Sequence, residues 1–173
     1  MGALPTLVSV DEYLHTVYEP DCDYIDGLIL ERNVGEKDHS KAQRAILFYL
    51  WERRKRWKIF AIQEQRVQLS PTRYRIPDIC VVVGPEPDEQ IFTSLPFLCI
   101  EILSPEDRMS RMSRMQQKID DCLMFGVRYV WVVDPQTRKA WIHISEGGRE
   151  VRDGMLRTQD PELLVPLDAV FES

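Results

Sequence analysis

Apolar and polar positions alternate along this chain with two periods, one of strands and one of helices. The longest apolar run is Pro96-Phe97-Leu98-Cys99-Ile100-Glu101-Ile102-Leu103-Ser104. It predicts a strand covered on both faces, with one carboxylate, Glu101, set into it. Arg75 to Val83 reads as a second strand, rich in Val and Ile and stopped by Gly84-Pro85. Phe60 to Leu69 alternates and predicts a strand that Ser70-Pro71-Thr72 turns into the Asp78 strand. Arg128 to Val133 predicts a buried Val-rich strand, and Ala140 to Ile144 an antiparallel one ended by Gly147-Gly148. A weak hairpin around Asp153-Gly154 and a turn at Leu167 to Phe171 complete the chain.

The helical period appears in three places. Ser9 caps a short helix with Asp11 and Glu12 in its first turn. Asp38 and Ser40 are candidate caps for a helix reaching to about Lys58, with Ala42, Ala45, Ile46, Tyr49 and Leu50 as its buried stripe. Beyond Ser104-Pro105, Met112, Met115, Ile119, Cys122 and Leu123 share one face of a helix closed by Gly126. Asp26-Gly27 forms the turn of an N-terminal hairpin from Tyr24 to Leu30. The order is α/β: a mixed sheet flanked by helices, with a β-hairpin extension in front. The long helical connection makes the Val-rich strand parallel to the Glu101 strand by a right-handed crossover.

One register of the two carboxylate-bearing strands has chemical consequences. If they pair antiparallel with Asp78 opposite Glu101, Cys80 falls opposite Cys99. The carboxylates then converge at one end and the thiols pack behind them as small apolar groups. Two hard oxygen ligands, with the main-chain carbonyl of Ile102 as a third, outline a divalent-cation site. A hydrogen-bonded or edge-exposed acid pair is the alternative. Arg53-Arg54-Lys55-Arg56-Trp57-Lys58 reads either as a solvated, dipole-favoured helix end or as a phosphate contact.

Composition narrows the classes. A chain of 173 residues with ordinary apolar and charged fractions predicts one domain, 1–173, with a sizeable core. Neither a secretory leader nor an apolar run near ~20 residues is present, and no membrane role is expected. Cys22, Cys80, Cys99 and Cys122 lack a CxxC spacing and read as reduced core thiols, so a cytoplasmic location is expected. A net charge of −6 argues against a general polyanion coat but leaves room for a local basic groove.

Pro77-Asp78, Glu101-Ile102-Leu103-Ser104-Pro105, Lys118 and Gly126-Val127-Arg128-Tyr129-Val130-Trp131-Val132-Val133-Asp134-Pro135 form an ordered array. With Val10-Asp11-Glu12-Tyr13-Leu14 and Ile25-Asp26-Gly27 upstream, it resembles the Uma-two family within the PD-(D/E)XK nuclease superfamily. The resemblance implies a restriction-endonuclease-like mixed sheet and Mg²⁺-dependent hydrolysis of DNA phosphodiesters, with Mn²⁺ as a substitute ion. It matches Asp78 and Glu101 to the metal-binding acids. The superfamily's usual Lys two residues after the Glu is here Leu103, and Lys118 is the family's replacement. His39 falls where the family places a His near the site, and Glu36 is a candidate outer acid. Asp23 stands where the family has Glu, and Cys22 where an aromatic is common.

The expected enzyme is therefore an endodeoxyribonuclease with Asp78, Glu101 and Lys118 as catalytic residues. Arg111, Arg114, Arg53, Arg54 and Arg56 are candidates for the nucleic-acid backbone, and two-strand cleavage by a small single-site enzyme favours a homodimer. The alternatives are a nucleic-acid-binding module without turnover and a protein-interaction scaffold on the same fold. For Lys118 to reach the acids, the expectation is a turn or loop over Pro105 to Met109 and a helix starting between Ser110 and Ser113, where capping signals recur. A lysine stem lying across the helix edge with its head in water is the alternative.

Overall fold

A computed structural model describes residues 2–32, 35–105, 107 and 112–171, with only the backbone of Met112 and Ser113. The chain opens with α1 (Val10–Leu14), β1 (Cys22–Ile25), β2 (Leu28–Glu31) and α2 (Lys37–Trp57). It continues through β3 (Ile59–Gln63), β4 (Val67–Ser70), β5 (Arg73–Arg75), β6 (Ile79–Val83) and β7 (Leu98–Ile102). After α3 (Met112–Met124) come β8 (Tyr129–Asp134), β9 (Lys139–Ile144), β10 (Gly147–Glu150), β11 (Met155–Arg157), β12 (Leu164–Pro166) and α4 (Leu167–Phe171). A six-stranded sheet has the order β10-β9-β8-β7-β6-β3, a four-stranded sheet the order β2-β1-β5-β4, and β11 pairs with β12.

Alternation along β7 sorts its side chains onto two cores. Leu98, Ile100 and Ile102 join Ala42, Ile46 and Leu50 of α2 on one face of the large sheet. Cys99 and Leu103 join Met115, Ile119 and Cys122 of α3 on the other. Glu101 shares the period of Cys99 and therefore faces α3. Ile79↔Ile100, Cys80↔Cys99 and Val81↔Leu98 are antiparallel partners, so the same register carries Asp78, one residue before β6, to the level of Glu101. β8 runs parallel to β7, and Trp131, fully buried, lies in the core on the α2 side.

The chain departs from the expected pattern at several points. The run from Phe60 to Leu69 is two strands in two sheets, because Glu64 adopts a left-handed backbone (φ 51°) and gives its N–H to the Asp78 carbonyl at 3.0 Å. Arg75 to Val83 is likewise divided at Pro77, which has no N–H for a ladder. β5 thus joins the hairpin sheet and β6 the large one. Helix α2 takes Glu36 as its N-cap, leaving Asp38 and Ser40 inside the first turns. Gly147-Gly148, expected to end the β9 strand, opens β10 as a further strand paired with it, and the C-terminal hairpin is β11 with β12, turning after Arg157 and not at Asp153-Gly154.

Pro105 and Asp107 are helical, which corrects the expected loop at those positions. Ser104 Oγ and N–H both donate to Asp107 Oδ2 at 2.8 Å, a capping arrangement at the start of that turn. Met109, Ser110 and Arg111 lie outside the described residues. The C-terminal end of α3 closes as expected: Val127 N–H bonds to the Cys122 carbonyl and Gly126 N–H to that of Leu123, with Gly126 at φ 114°.

Candidate functional site

Asp78 is held from both sides before its carboxylate does anything. Its carbonyl accepts from the Gln43 amide of α2 at 2.9 Å and from Glu64 N–H, which fixes the backbone at the entry to β6. Its Oδ2 accepts the N–H of Ile102 at 2.7 Å and lies 3.3 Å from His39 Nε2. Arg32, just past β2, reaches Oδ1 at 3.1 Å.

Glu101 stands on the neighbouring strand, 2 % exposed. Lys118 Nζ lies 3.1 Å from each of its oxygens, donating with good geometry to Oε2, and gives a second hydrogen bond to the Ile76 carbonyl at 3.0 Å. Oε1 is buried without a hydrogen bond, as is His39 Nδ1. These groups line a cavity of about 100 Å³ whose wall also includes Ile102 and Arg114. Across Asp78, Arg32 and His39 lies a second cleft of about 470 Å³, lined by Tyr18, Asp21 and Gln43 among others.

The two carboxyls are pushed apart electrostatically. Burial drives Glu101 up to about 7, against the pull of Lys118 and reinforced by the negative charge of Asp78. Burial acts on Asp78 in the same sense, but His39, Lys118 and Arg32 outweigh it and hold that carboxyl below its ordinary value. His39 is depressed by burial and raised more by Asp78, giving a net rise. Lys118, although out of water, is held protonated by Glu101 above its ordinary value. One carboxylate therefore stays ionised while its neighbour exchanges a proton near neutrality, the division of labour that acid and base chemistry uses.

The structure brings Asp78, Glu101, Lys118, Ile102 and His39 together. Arg114 is exposed at the cavity wall. Glu36 is exposed at the N-terminus of α2 and does not line the cavity. Arg53, Arg54 and Arg56 occupy the far end of α2, and Arg53 lies about 21 Å along the axis from His39. Arg53 stacks on Tyr49 and Arg54 on Trp51. Arg111 lies outside the described residues. Among the described residues no group of three or more His, Cys, Asp and Glu is arranged to hold an ion, and no helix is long and apolar enough to cross a membrane.

Two features were not anticipated. Arg32 follows a hairpin strand with nothing in its neighbours to suggest a partner 46 residues away. Asp23, in the segment that departs from the family pattern, anchors the approach to the site: its Oδ1 accepts Ile76 N–H at 3.0 Å and its Oδ2 accepts Arg75 at 3.1 Å. Arg75 continues to Asp121 of α3, so the hairpin sheet and the lysine-bearing helix share one buried ion network.

A family model described as "Putative restriction endonuclease", Uma2, matches residues 10–170. A crystal structure titled as a putative nuclease belonging to DUF820, from Anabaena variabilis ATCC 29413, superposes with a TM-score of 0.81 at 23% identity. The alignment covers 95% of this chain and 98% of that one. The α/β architecture of sheets flanked by helices is thus the restriction-endonuclease-like one expected from the sequence. No curated protein matches.

Proposed function

The chain belongs to the Uma2 family, and from that premise we propose that it is a Mg²⁺-dependent endonuclease that hydrolyses DNA phosphodiester bonds. The observation that carries the reading is the convergence of Lys118 and Glu101 beside Asp78 at one cavity, with Glu101 Oε1 buried and without a hydrogen bond. Two carboxylates suit Mg²⁺, which keeps several waters and takes one or two protein carboxylates together with substrate phosphate. A cavity of about 100 Å³ has room for an ion and a few waters. Asp78 and Glu101 would hold it, with the Ile102 carbonyl, which leaves the strand on the same edge as the N–H given to Asp78. Bound there, the ion would supply charge for the phosphate and acidify water.

The remaining steps belong to the chain. Lys118, anchored by the Ile76 carbonyl, orients the attacking water and stabilises charge that grows on the phosphorane oxygens. His39 keeps Asp78 ionised and aligned, and Arg32 adds positive charge that favours its ionised form. Arg114, exposed at the wall, is placed to take a backbone phosphate.

The test is conversion of supercoiled plasmid to nicked or linear DNA in Mg²⁺ and in EDTA. Wild type cuts only with the ion. Asp78→Asn and Lys118→Met each lower the rate by about 10²-fold or more, and Lys118→Met still binds Mn²⁺ by calorimetry. Metal-independent nicking, or full activity in both variants, rejects the reading. A second reading, a nucleic-acid-binding module without turnover, is favoured by Arg32 occupying Asp78 Oδ1. Gel-shift retention of DNA with no cleavage by wild type selects it.

A further inference from the structure

Helix α2 has a second face that the candidate site does not use. Ala42, Ile46 and Leu50 are its buried residues. Opposite them, at spacings of three and four, stand Lys37, Lys41, Arg44, Phe48, Trp51 and Lys55. No acid interrupts this stripe. In a chain with a net charge of −6, Lys37–Trp57 holds seven of 22 cations and only two of 28 acids. None of the stripe's cations is ion-paired among the described residues.

Two large aromatics on that face are the informative anomaly. Phe48 is 61% exposed and Trp51 49%, where an amphipathic helix ordinarily turns polar side chains to water. Arg54 stacks 3.7 Å from the centre of the Trp51 ring and donates to the Trp51 carbonyl at 2.6 Å, which holds the indole against its own helix. Aromatics between unpaired cations match a polymer with flat apolar faces and a regular negative backbone. A duplex hides its base faces in the stack and would use the cations alone, whereas a single strand uses both. A second copy of the chain fits less well, because interface cores are depleted of lysine, and here Lys41, Arg44 and Lys55 flank the rings.

We infer that the outward face of α2, from Lys37 to Lys55, binds a single strand of DNA, with Phe48 and Trp51 stacking on bases and the lysines and Arg44 neutralising phosphates. The stripe is about 27 Å long, enough for several nucleotides. It begins on the same first turns that bring His39 to Asp78. A strand released or displaced at the cavity would therefore find its path along the helix that builds the site. The choice of DNA rests on the nuclease reading.

The experiment is fluorescence anisotropy of a labelled 20-nucleotide oligothymidylate, and of a 20-base-pair duplex, in EDTA over a salt series. The double substitution Phe48→Ala with Trp51→Ala weakens single-strand binding by about tenfold or more and leaves duplex binding unchanged. Lys41→Glu with Arg44→Glu and Lys55→Glu lowers the slope of log affinity against log salt by about 2. All five side chains lie outside the buried stripe, and circular dichroism checks that the fold persists. Unchanged oligothymidylate affinity and slope overturn the inference. So does an aromatic double variant that turns a wild-type dimer into a monomer by light scattering, since a second copy then covers the face. Plasmid cleavage runs in parallel. Cutting by wild type without stripe-dependent binding sinks this inference alone, and stripe-dependent binding without cutting upholds it while removing the nuclease reading.

Discussion

On one side of α3, Asp121 meets Arg75 and Arg73; one turn earlier on the same helix, Lys118 meets Glu101. Both clusters are built from buried charge, and they differ in how completely it is satisfied. Asp121 Oδ2 accepts from Arg75 at 2.6 and 3.1 Å and its Oδ1 from Arg73 at 2.6 Å. Asp23 has both oxygens engaged, by Arg75 and by Ile76 N–H. Around Lys118, by contrast, Glu101 Oε1 and His39 Nδ1 are buried with no hydrogen bond, and Glu101 titrates near 7. A saturated network ties elements together; an incomplete one has capacity left for something that binds. The first cluster locks the hairpin sheet to α3, and the second is where chemistry is proposed.

The largest expected effect tests that division through stability. Arg75→Met leaves Asp23 buried with only the Ile76 N–H, takes one of two cations from Asp121, and is expected to cost about 3–5 kcal/mol. Glu101→Gln removes a charge that burial already disfavours but leaves the Lys118 ammonium with only neutral acceptors, the amide oxygen and the Ile76 carbonyl, so it is expected to cost less, about 1–3 kcal/mol. Guanidinium unfolding of both variants at pH 7.5 gives the comparison. Equal losses would mean that both clusters are structural.

Next in size is the response to pH. Because the native protein holds a proton on Glu101 up to about 7, while an unfolded Glu releases it near ~4.3, the Glu101 contribution to stability declines as pH rises through that window. His39, raised by Asp78, contributes fully below its ordinary value and loses that contribution as pH rises through its elevated one. Asp78, held low, works the other way: its contribution is present above the ordinary carboxyl range and is lost as acid overtakes it. For the proposed ion, the proton on Glu101 is a competitor. Mg²⁺ affinity measured by calorimetry is therefore expected to rise about tenfold between pH 6 and pH 8. A flat profile over that range would remove Glu101 from the ligand set.

How much of this was legible in the chain depends on how far away the deciding partner lay. The register of β6 on β7 follows from local alternation: once Cys80 faces Cys99, Asp78 must come level with Glu101. The matching of Lys118 to the site required the family resemblance, since spacing alone left its ammonium in water or in the cavity. Pro105 is helical where a loop was expected, but the helix that carries Lys118 is bounded at Met112, inside the expected Ser110 to Ser113 start, so Lys118 lies in its early turns and reaches Glu101. The break at Glu64 was hidden for a different reason: the residue takes its left-handed backbone where its N–H meets the Asp78 carbonyl, a tertiary contact that an alternating pattern does not encode. Asp23 and Arg75 are likewise partners 52 residues apart, and neither stands out from its neighbours.

Arg32 provides the smallest and sharpest probe of the incomplete cluster. Its guanidinium sits on Asp78 Oδ1 at 3.1 Å, with 15% of the side chain exposed, in contrast to Arg75, whose side chain is 7% exposed and forked between two acids. Asp78 keeps His39 and the field of Lys118 when this single contact is lost, so Arg32 can give way to a cation where Arg75 cannot. Arg32→Gln removes a positive charge from the seat of the proposed ion and frees one oxygen of its ligand. Mg²⁺ binding to this variant is expected to tighten by up to about fivefold, while the thermal midpoint of the ion-free protein hardly moves. The guanidinium also lies where a substrate phosphate would enter the cavity, so cleavage should slow even as the ion binds better. Tighter binding with slower cutting identifies Arg32 as a cation that yields its place on Asp78 and then serves the phosphate. Weaker Mg²⁺ binding would instead show that Arg32 holds Asp78 in position, as Arg75 holds Asp121, and the contrast between the two clusters would disappear at this residue.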